Sequence, residues 1–189
     1  MIVLHPISGD SDHFKLLGLF VDAKLTMQPA IDDTMSRVHP RVTVMLRTRA
    51  HYGPKDLLTH FKTHIWGIME AHSGGTFHAC TSQLDRLDSC QRHFVQDLGL
   101  TEATAFTEHN FAPPVLRKNC GISGLIHKRV IGQCHPDFFA LLPWHVDHFG
   151  HMPATGHSKL YDHTLEVHLQ RGLHQRSIFA MIDVYNKLP

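Results

Sequence analysis

The run PKDLLTHFKTHIWGIMEAHSGG, residues 54–75, constrains this chain more than any other stretch. Leu57, Leu58, Phe61, Ile65, Ile68 and Met69 recur at the 3.6-residue period of a helix that buries one face. Gly74–Gly75 are expected to end that helix. Similar stripes recur along the chain. A helix is expected from Pro29, with Asp32 and Asp33 in its first turn, where carboxylates complement the helix dipole. Pro40 is expected to kink or restart it, because proline lacks the N–H that closes a helical turn. PRVTVMLRTRA continues it, though Val42, Thr43 and Val44 are poor helix formers. Phe77, Leu84, Leu87, Phe94 and Leu98 mark another helix that stops at Gly99. Thr101 is placed to cap a short helix over TEATAFTEH. PPVLRKNCGISGLIHKRVIG reads as a helix weakened by Gly121 and Gly124, and HPDFFALLP as a short amphipathic one. Ser177 is placed to cap a last helix over RSIFAMIDVYNKLP.

The two ends of the pattern differ from its middle. In residues 1–27, IVLHPI and FKLLGLFV read as two strands around the polar turn SGDSD. Gly18 then falls inside a strand-like run, where glycine marks a tight bend or a close approach of backbone. Residues 144–164 crowd Gly, His, Pro and Ser and keep no period, which predicts a loop or linker. The expected fold is mostly α: a helical bundle-like domain over residues 28–143, a short N-terminal β-hairpin before it, and a helical tail over 165–189.

Composition excludes some functions and leaves others open. With 42% apolar and 19% charged residues the chain falls in the globular class. A net charge of +1 provides no global field toward nucleic acid or membrane, so any such preference must come from a local patch. No apolar run reaches the ~18 residues of a membrane helix, so no membrane partner is expected. The start, MIVLHPISGDSDH, has no secretory signal pattern, and Cys80, Cys90, Cys120 and Cys134 show no C-x-x-C spacing. An intracellular protein with reduced thiols, nuclear or cytoplasmic and not secreted, is the expectation.

Nineteen histidines raise the question of metal. At that frequency about two pairs at any fixed spacing arise by chance, and one pair, His60–His64, has the i,i+4 spacing that shares a helix face. His145, His148 and His151, with Asp147, form the best zinc candidate, but they lack a nearby cysteine. Cys134–His135 is weaker. No metal site is assigned, and no nucleophilic triad, since among so many histidines one falls near any nucleophile. Trp66 and Trp144 are expected to anchor packing.

Charge distribution carries more. Between Arg37 and Lys62 lie Arg37, Arg41, Arg47, Arg49, Lys55 and Lys62, with Asp56 the only acid. Basic residues on adjacent helices can track a phosphate backbone. Arg117, Lys118, Lys128 and Arg129 form a second cluster of the same kind.

With these elements in place a family resemblance emerges. FKLLGLFVDAKLTMQPAI resembles the segment that follows the catalytic palm in reverse transcriptases of non-LTR (LINE-like) retrotransposons. In that family a Leu-Gly turn, matched here by Leu17–Gly18, closes the palm in the primer-grip region and leads into the thumb. LDRLDSCQRHFVQDLGLTEATAF, APPVLRKNCGISGLIHKRVIGQCHPDFFALLP and RSIFAMIDVYNKLP resemble the helical tail that follows the thumb in some such elements. The resemblance runs from about His13 to the end. It implies that residues 1–27 end a palm and that 28–143 are thumb-like. Arg41, Arg47, Arg49, Lys55 and Lys62 would then contact an RNA/DNA template–primer, weakly and without sequence preference. The missing palm and fingers of the parent polymerase would be a further partner.

The family's catalytic signature, an aromatic residue, a variable one and two aspartates, stands before the Leu-Gly turn and holds Mg²⁺. Here the only Asp-Asp pair, Asp32–Asp33, follows that turn, and Ala30 stands where the aromatic belongs. The resemblance therefore implies a fragment of an RNA-directed DNA polymerase with no polymerase activity alone. No catalytic residue is assigned and no cofactor is expected in this chain, Mg²⁺ belonging to the missing part. The competing expectation is a histidine-rich helical metal-binding or scaffolding module with no nucleic-acid role.

Overall fold

The computed structural model describes residues 13–16, 18–77, 79–138, 142 and 177–187, and these are mostly helical with one two-stranded antiparallel sheet. The chain divides into two compact units, Met1–Lys118 and Asn119–Pro189.

The sheet is a hairpin of β1 (His13–Leu16) and β2 (Leu19–Asp22), with His13 opposite Asp22 and Leu16 opposite Leu19. The expected single strand over FKLLGLFV is thus two strands, and the expected strand over IVLHPI lies outside the described residues. Gly18 is in the two-residue loop between them, at φ 87°. Tight hairpin loops need positive φ, which glycine adopts without strain. Gly18 is thus the tight bend expected of a glycine inside a strand-like run.

The link from hairpin to helix is held by one carboxylate. Asp22 accepts hydrogen bonds from the Thr26 N–H (3.1 Å), the Thr26 hydroxyl (2.9 Å) and the Met27 N–H (2.8 Å). Burial by itself would raise its pKa, but these donors outweigh burial and hold the Asp22 carboxyl below the usual carboxylate range. Leu25 and Met27 take φ of 53° and 60° in this link, a conformation that L residues rarely hold without such constraint.

Helix α1 (Gln28–Arg47) begins directly after Met27. Asp32 and Asp33 consequently fall in its second turn, not its first. Pro40 does not divide α1, which is continuous across it. Both Pro40 and Ser36, whose carbonyl would have received the missing bond, are on the exposed face, where water can satisfy that carbonyl. Ile31, Met35, Val38 and Val42 turn inward.

The opening run forms α2 (Pro54–Phe61), a π-helical segment (Lys62–Trp66) and α3 (Gly67–Glu70) in unbroken succession. The helix stops at Glu70, and Gly74–Gly75 do not end it. They belong to the short α4 (Ser73–Thr76). Gly75 answers a different need: a Cβ there would collide with the Leu19 side chain of β2. Helix α5 (Thr81–Asp97) follows, and Gly99 at φ 73° closes it. Thr101 caps α6 (Glu102–His109) as expected, accepting from the Thr104 N–H at 3.1 Å.

Phe61 sits at the centre of this unit, with ring centroids 4.6 Å from Phe94 and 5.2 Å from Phe111. Ile31, Val38, Leu57, Leu58 and Ile65 fill in around it. Each such side chain contributes roughly 1.5–3 kcal/mol by leaving water. A smaller cluster of Val21, Met27 and Ala79, with Phe14, Leu19 and Leu84, holds the hairpin down.

Helix α7 (Pro114–Val130) starts in the first unit and continues into the second, ending before Gly132 at φ 75°. In the second unit Ile126, Leu142 and Ile182 form a core with α8 (Ile178–Asn186). Ser177 occupies the N-cap position of α8, but its side chain makes no cap hydrogen bond. The expected linker over 144–164, including Trp144 and the His145–His148–His151 candidate, lies outside the described residues.

Candidate nucleic-acid interface

Four of the basic residues singled out by sequence lie around the junction of α1 and α2. Arg41 is in the fourth turn of α1, Arg47 is its last residue, Arg49 is in the turn that follows, and Lys55 is in the first turn of α2. The turn is built locally. The Thr48 N–H and hydroxyl bond the Met45 carbonyl, and the His51 N–H bonds the Thr48 carbonyl at 2.8 Å. All four basic side chains are exposed. Arg41 and Arg47 are separated by ~9 Å of rise and about 120° of rotation on α1, so they form a broad basic flank and not a focused pocket.

What distinguishes this flank is the absence of acid partners. Among the described residues Arg41, Arg47, Arg49 and Lys55 make no ion pair. Arg41 donates one N–H to its own helix, to the Arg37 carbonyl at 2.6 Å, and keeps its other donors for solvent. Other arginines are engaged. Arg37 pairs with Asp33 (2.8 Å), Arg86 with Asp32 (2.7 Å) and Arg92 with Glu102 (3.1 Å).

The fifth residue, Lys62, does not join the flank. It is half-buried, donates to the His109 carbonyl and stands 5.6 Å from the centre of the Trp66 ring, tying the π-helical segment to the end of α6. Asp33 pairs with Arg37 inside α1, and Asp32 pairs with Arg86 of α5, so only the second links two elements.

The second basic cluster resolves differently. Arg117 forms a two-pronged bond to Glu70, one N–H to each carboxylate oxygen, and lies 3.6 Å from the centre of the Trp66 ring. Trp66 is buried, donates to Gln91 Oε1 at 3.0 Å and stacks on Phe111. Its expected packing role holds. Lys118 faces Phe77, and burial lowers its ammonium pKa, with Asp88 partly opposing the shift. Asp88 is pushed up by burial while it accepts the Val115 N–H at 3.1 Å. Arg129 is buried in the second unit and donates to the Leu142 carbonyl at 2.8 Å.

Gly18 is exposed, with the His72 ring 3.6 Å from where a Cβ would stand; Leu17, the other residue of the expected Leu-Gly turn, lies outside the described residues. Sequence reasoning overlooked Tyr52, which is 48% exposed in the α1–α2 turn between Arg49 and Lys55. An aromatic residue bracketed by cations in a turn was the available signal. Among the described residues no three His, Cys, Asp or Glu side chains converge as metal ligands, and no helix is long and apolar enough to cross a membrane. No family model, curated protein or solved structure matches the chain.

Proposed function

We propose that this chain is the thumb-and-tail portion of an RNA-directed DNA polymerase of the non-LTR retrotransposon class, and that it grips nucleic-acid backbone through Arg41, Arg47, Arg49 and Lys55. The observation that carries this reading is the exposed basic flank at the α1–α2 junction, without acid partners among the described residues. A guanidinium already bonded to a carboxylate has little left for a phosphate. One held in water beside other cations gains by displacing the counterions of a nucleic-acid strand. Because the flank is broad and offers no focused pocket, the contacts are to phosphates and not to base edges, and the binding is indifferent to sequence. In this reading the Leu17–Gly18 turn takes the primer-grip place, Lys62 acts as a structural tie, and polymerisation with its Mg²⁺ belongs to the absent palm.

Fluorescence anisotropy with two RNA–DNA duplexes of unrelated sequence tests the reading. Four phosphate contacts give a log–log salt slope of about −3 to −4. Converting Arg47→Glu and Arg49→Glu together should flatten the slope by about 2 and weaken both duplexes alike. If that variant binds as well as the parent at low salt, the flank is not the grip.

A further inference from the structure

We propose that Tyr52, His60 and His64 form a stacking platform for the bases of a single-stranded nucleic acid, with the strand's phosphates on Arg47, Arg49 and Lys55. The proposal rests on the reading of the α1–α2 junction as a backbone grip and names the strand form it prefers. The Tyr52 ring meets the His60 ring edge-on, with centroids 5.7 Å apart. His60 and His64 lie nearly parallel, 14° between planes and 6.0 Å between centroids. All three rings are exposed, and none contributes to a hydrophobic core. A row of three touching rings in water is a surface with apolar faces to offer and no internal task.

The local helix geometry sustains the row. His64 lies in the π-helical segment Lys62–Trp66, a distortion that recurs at functional sites. Ile65 and Trp66 of that segment are both buried, while His60 and His64 are both exposed. Basic residues border the rings along the chain. Arg49 and Lys55 flank Tyr52 in the chain, whereas Asp56 lies in the helical row with His60 and His64 and disfavours phosphate directly over the rings. Bases on the rings and phosphates at the basic edge satisfy both. Paired bases in a duplex keep their faces stacked inside the helix, so the rings can discriminate by strand form, through stacking that tolerates any base.

The test uses the full chain, a fluorescein-labelled thymidine oligomer of about a dozen nucleotides and a blunt RNA–DNA duplex of equal length, all with EDTA to remove metal bridged by the histidines. The oligomer should bind more tightly than the duplex. Tyr52→Leu should weaken the oligomer about tenfold, leave its salt slope unchanged and leave the duplex unchanged. Tyr52→Trp should restore oligomer binding. His60→Ala should weaken the oligomer in the same direction, and being an exposed helical position changed to the best helix former it keeps the test open if Tyr52→Leu misfolds. Oligomer binding within about twofold of the parent in both Tyr52→Leu and His60→Ala, or an equal loss on the duplex, overturns the platform. If Arg47→Glu with Arg49→Glu weakens the duplex while the ring variants change nothing, only the platform fails. If the parent binds neither nucleic acid at low salt, the grip and the platform fail together.

Discussion

Arg47 and Arg49 around the end of α1, and Arg117 with Lys118 near the start of α7, are basic residues at close spacing in helical surroundings, yet they meet different neighbours. Arg117 finds a carboxylate and an indole face, contributed by α3 and the π-helical segment, and becomes part of the packing. Lys118 is drawn into the same layer beside Asp88 and Phe77. Arg47 and Arg49 meet water. Basic residues become available for a ligand when the fold brings no acid to them, so the partner list decides more than the count of charges.

The largest expected effect breaks the comparison from the structural side. Arg117→Ala should lower stability by about 2–3 kcal/mol, since it removes a cation from the Trp66 ring and strands Glu70. Because the ion pair is about a third exposed, most of that loss should come from the indole contact, and Glu70→Ala should cost less than Arg117→Ala. Urea denaturation measures both. The salt slope of nucleic-acid binding should not change, and a change there would make Arg117 part of the grip.

Asp22 extends the comparison to an anion with every partner in place. Asp22→Ala should cost about 1–2 kcal/mol, because the donors of Thr26 and Met27 lose their acceptor in a strained link. Its folded pKa lies below the unfolded value, so its stabilisation is complete above about pH 4 and is lost as pH falls through the folded pKa. A pH series of denaturation midpoints should therefore show an acid-side decline that is shallower in Asp22→Ala. An unchanged acid limb would show that other carboxylates govern it.

Lys118→Met sharpens the contrast between two neighbours in α7. Burial penalises the Lys118 ammonium, so its folded pKa lies below its unfolded one, and the penalty persists at neutral pH and disappears only above about pH 10. Methionine removes the penalty while Asp88 keeps the Val115 N–H, so stability should change by about 1 kcal/mol or less in either direction. A loss as large as that of Arg117→Ala would show the Lys118–Asp88 attraction to be dominant.

The smallest stability effect belongs to the variant with the largest effect on binding. Arg47→Glu with Arg49→Glu should move the denaturation midpoint by the equivalent of about 0.5 kcal/mol or less, as exposed side chains without ion-pair partners among the described residues do. A larger loss would place these arginines among the structural cations with Arg117.

Much of the architecture was legible because it depends on neighbours a few residues apart. Leu57, Leu58, Phe61 and Ile65 announce an amphipathic helix by spacing alone, Thr101 announces the cap of α6, and Gly99 the stop of α5. The misread places share a different cause. A glycine marked the bend inside FKLLGLFV, but two short strands have the same apolar alternation as one, so only the pairing of β1 with β2 shows that the bend separates two strands. The start of α1 depends on Asp22 reaching forward to Thr26 and Met27, which pulls the helix ahead of the acids that seemed to open it. Gly75 looked like a terminator, but it is small because β2 passes over it.

The candidate interface divides along the same line. That a basic stretch runs from Arg37 to Lys62 was determined by the sequence itself, since charge is a property of each residue. Which members remain open to a ligand was decided by tertiary structure. Arg37 is taken by Asp33 four residues away, a local pairing; Lys62 is taken by the His109 carbonyl and Arg117 by Glu70, each 47 residues distant. Distant partners meet only when packing of apolar faces brings their helices together, and burial of those faces, not charge, sets where the helices lie.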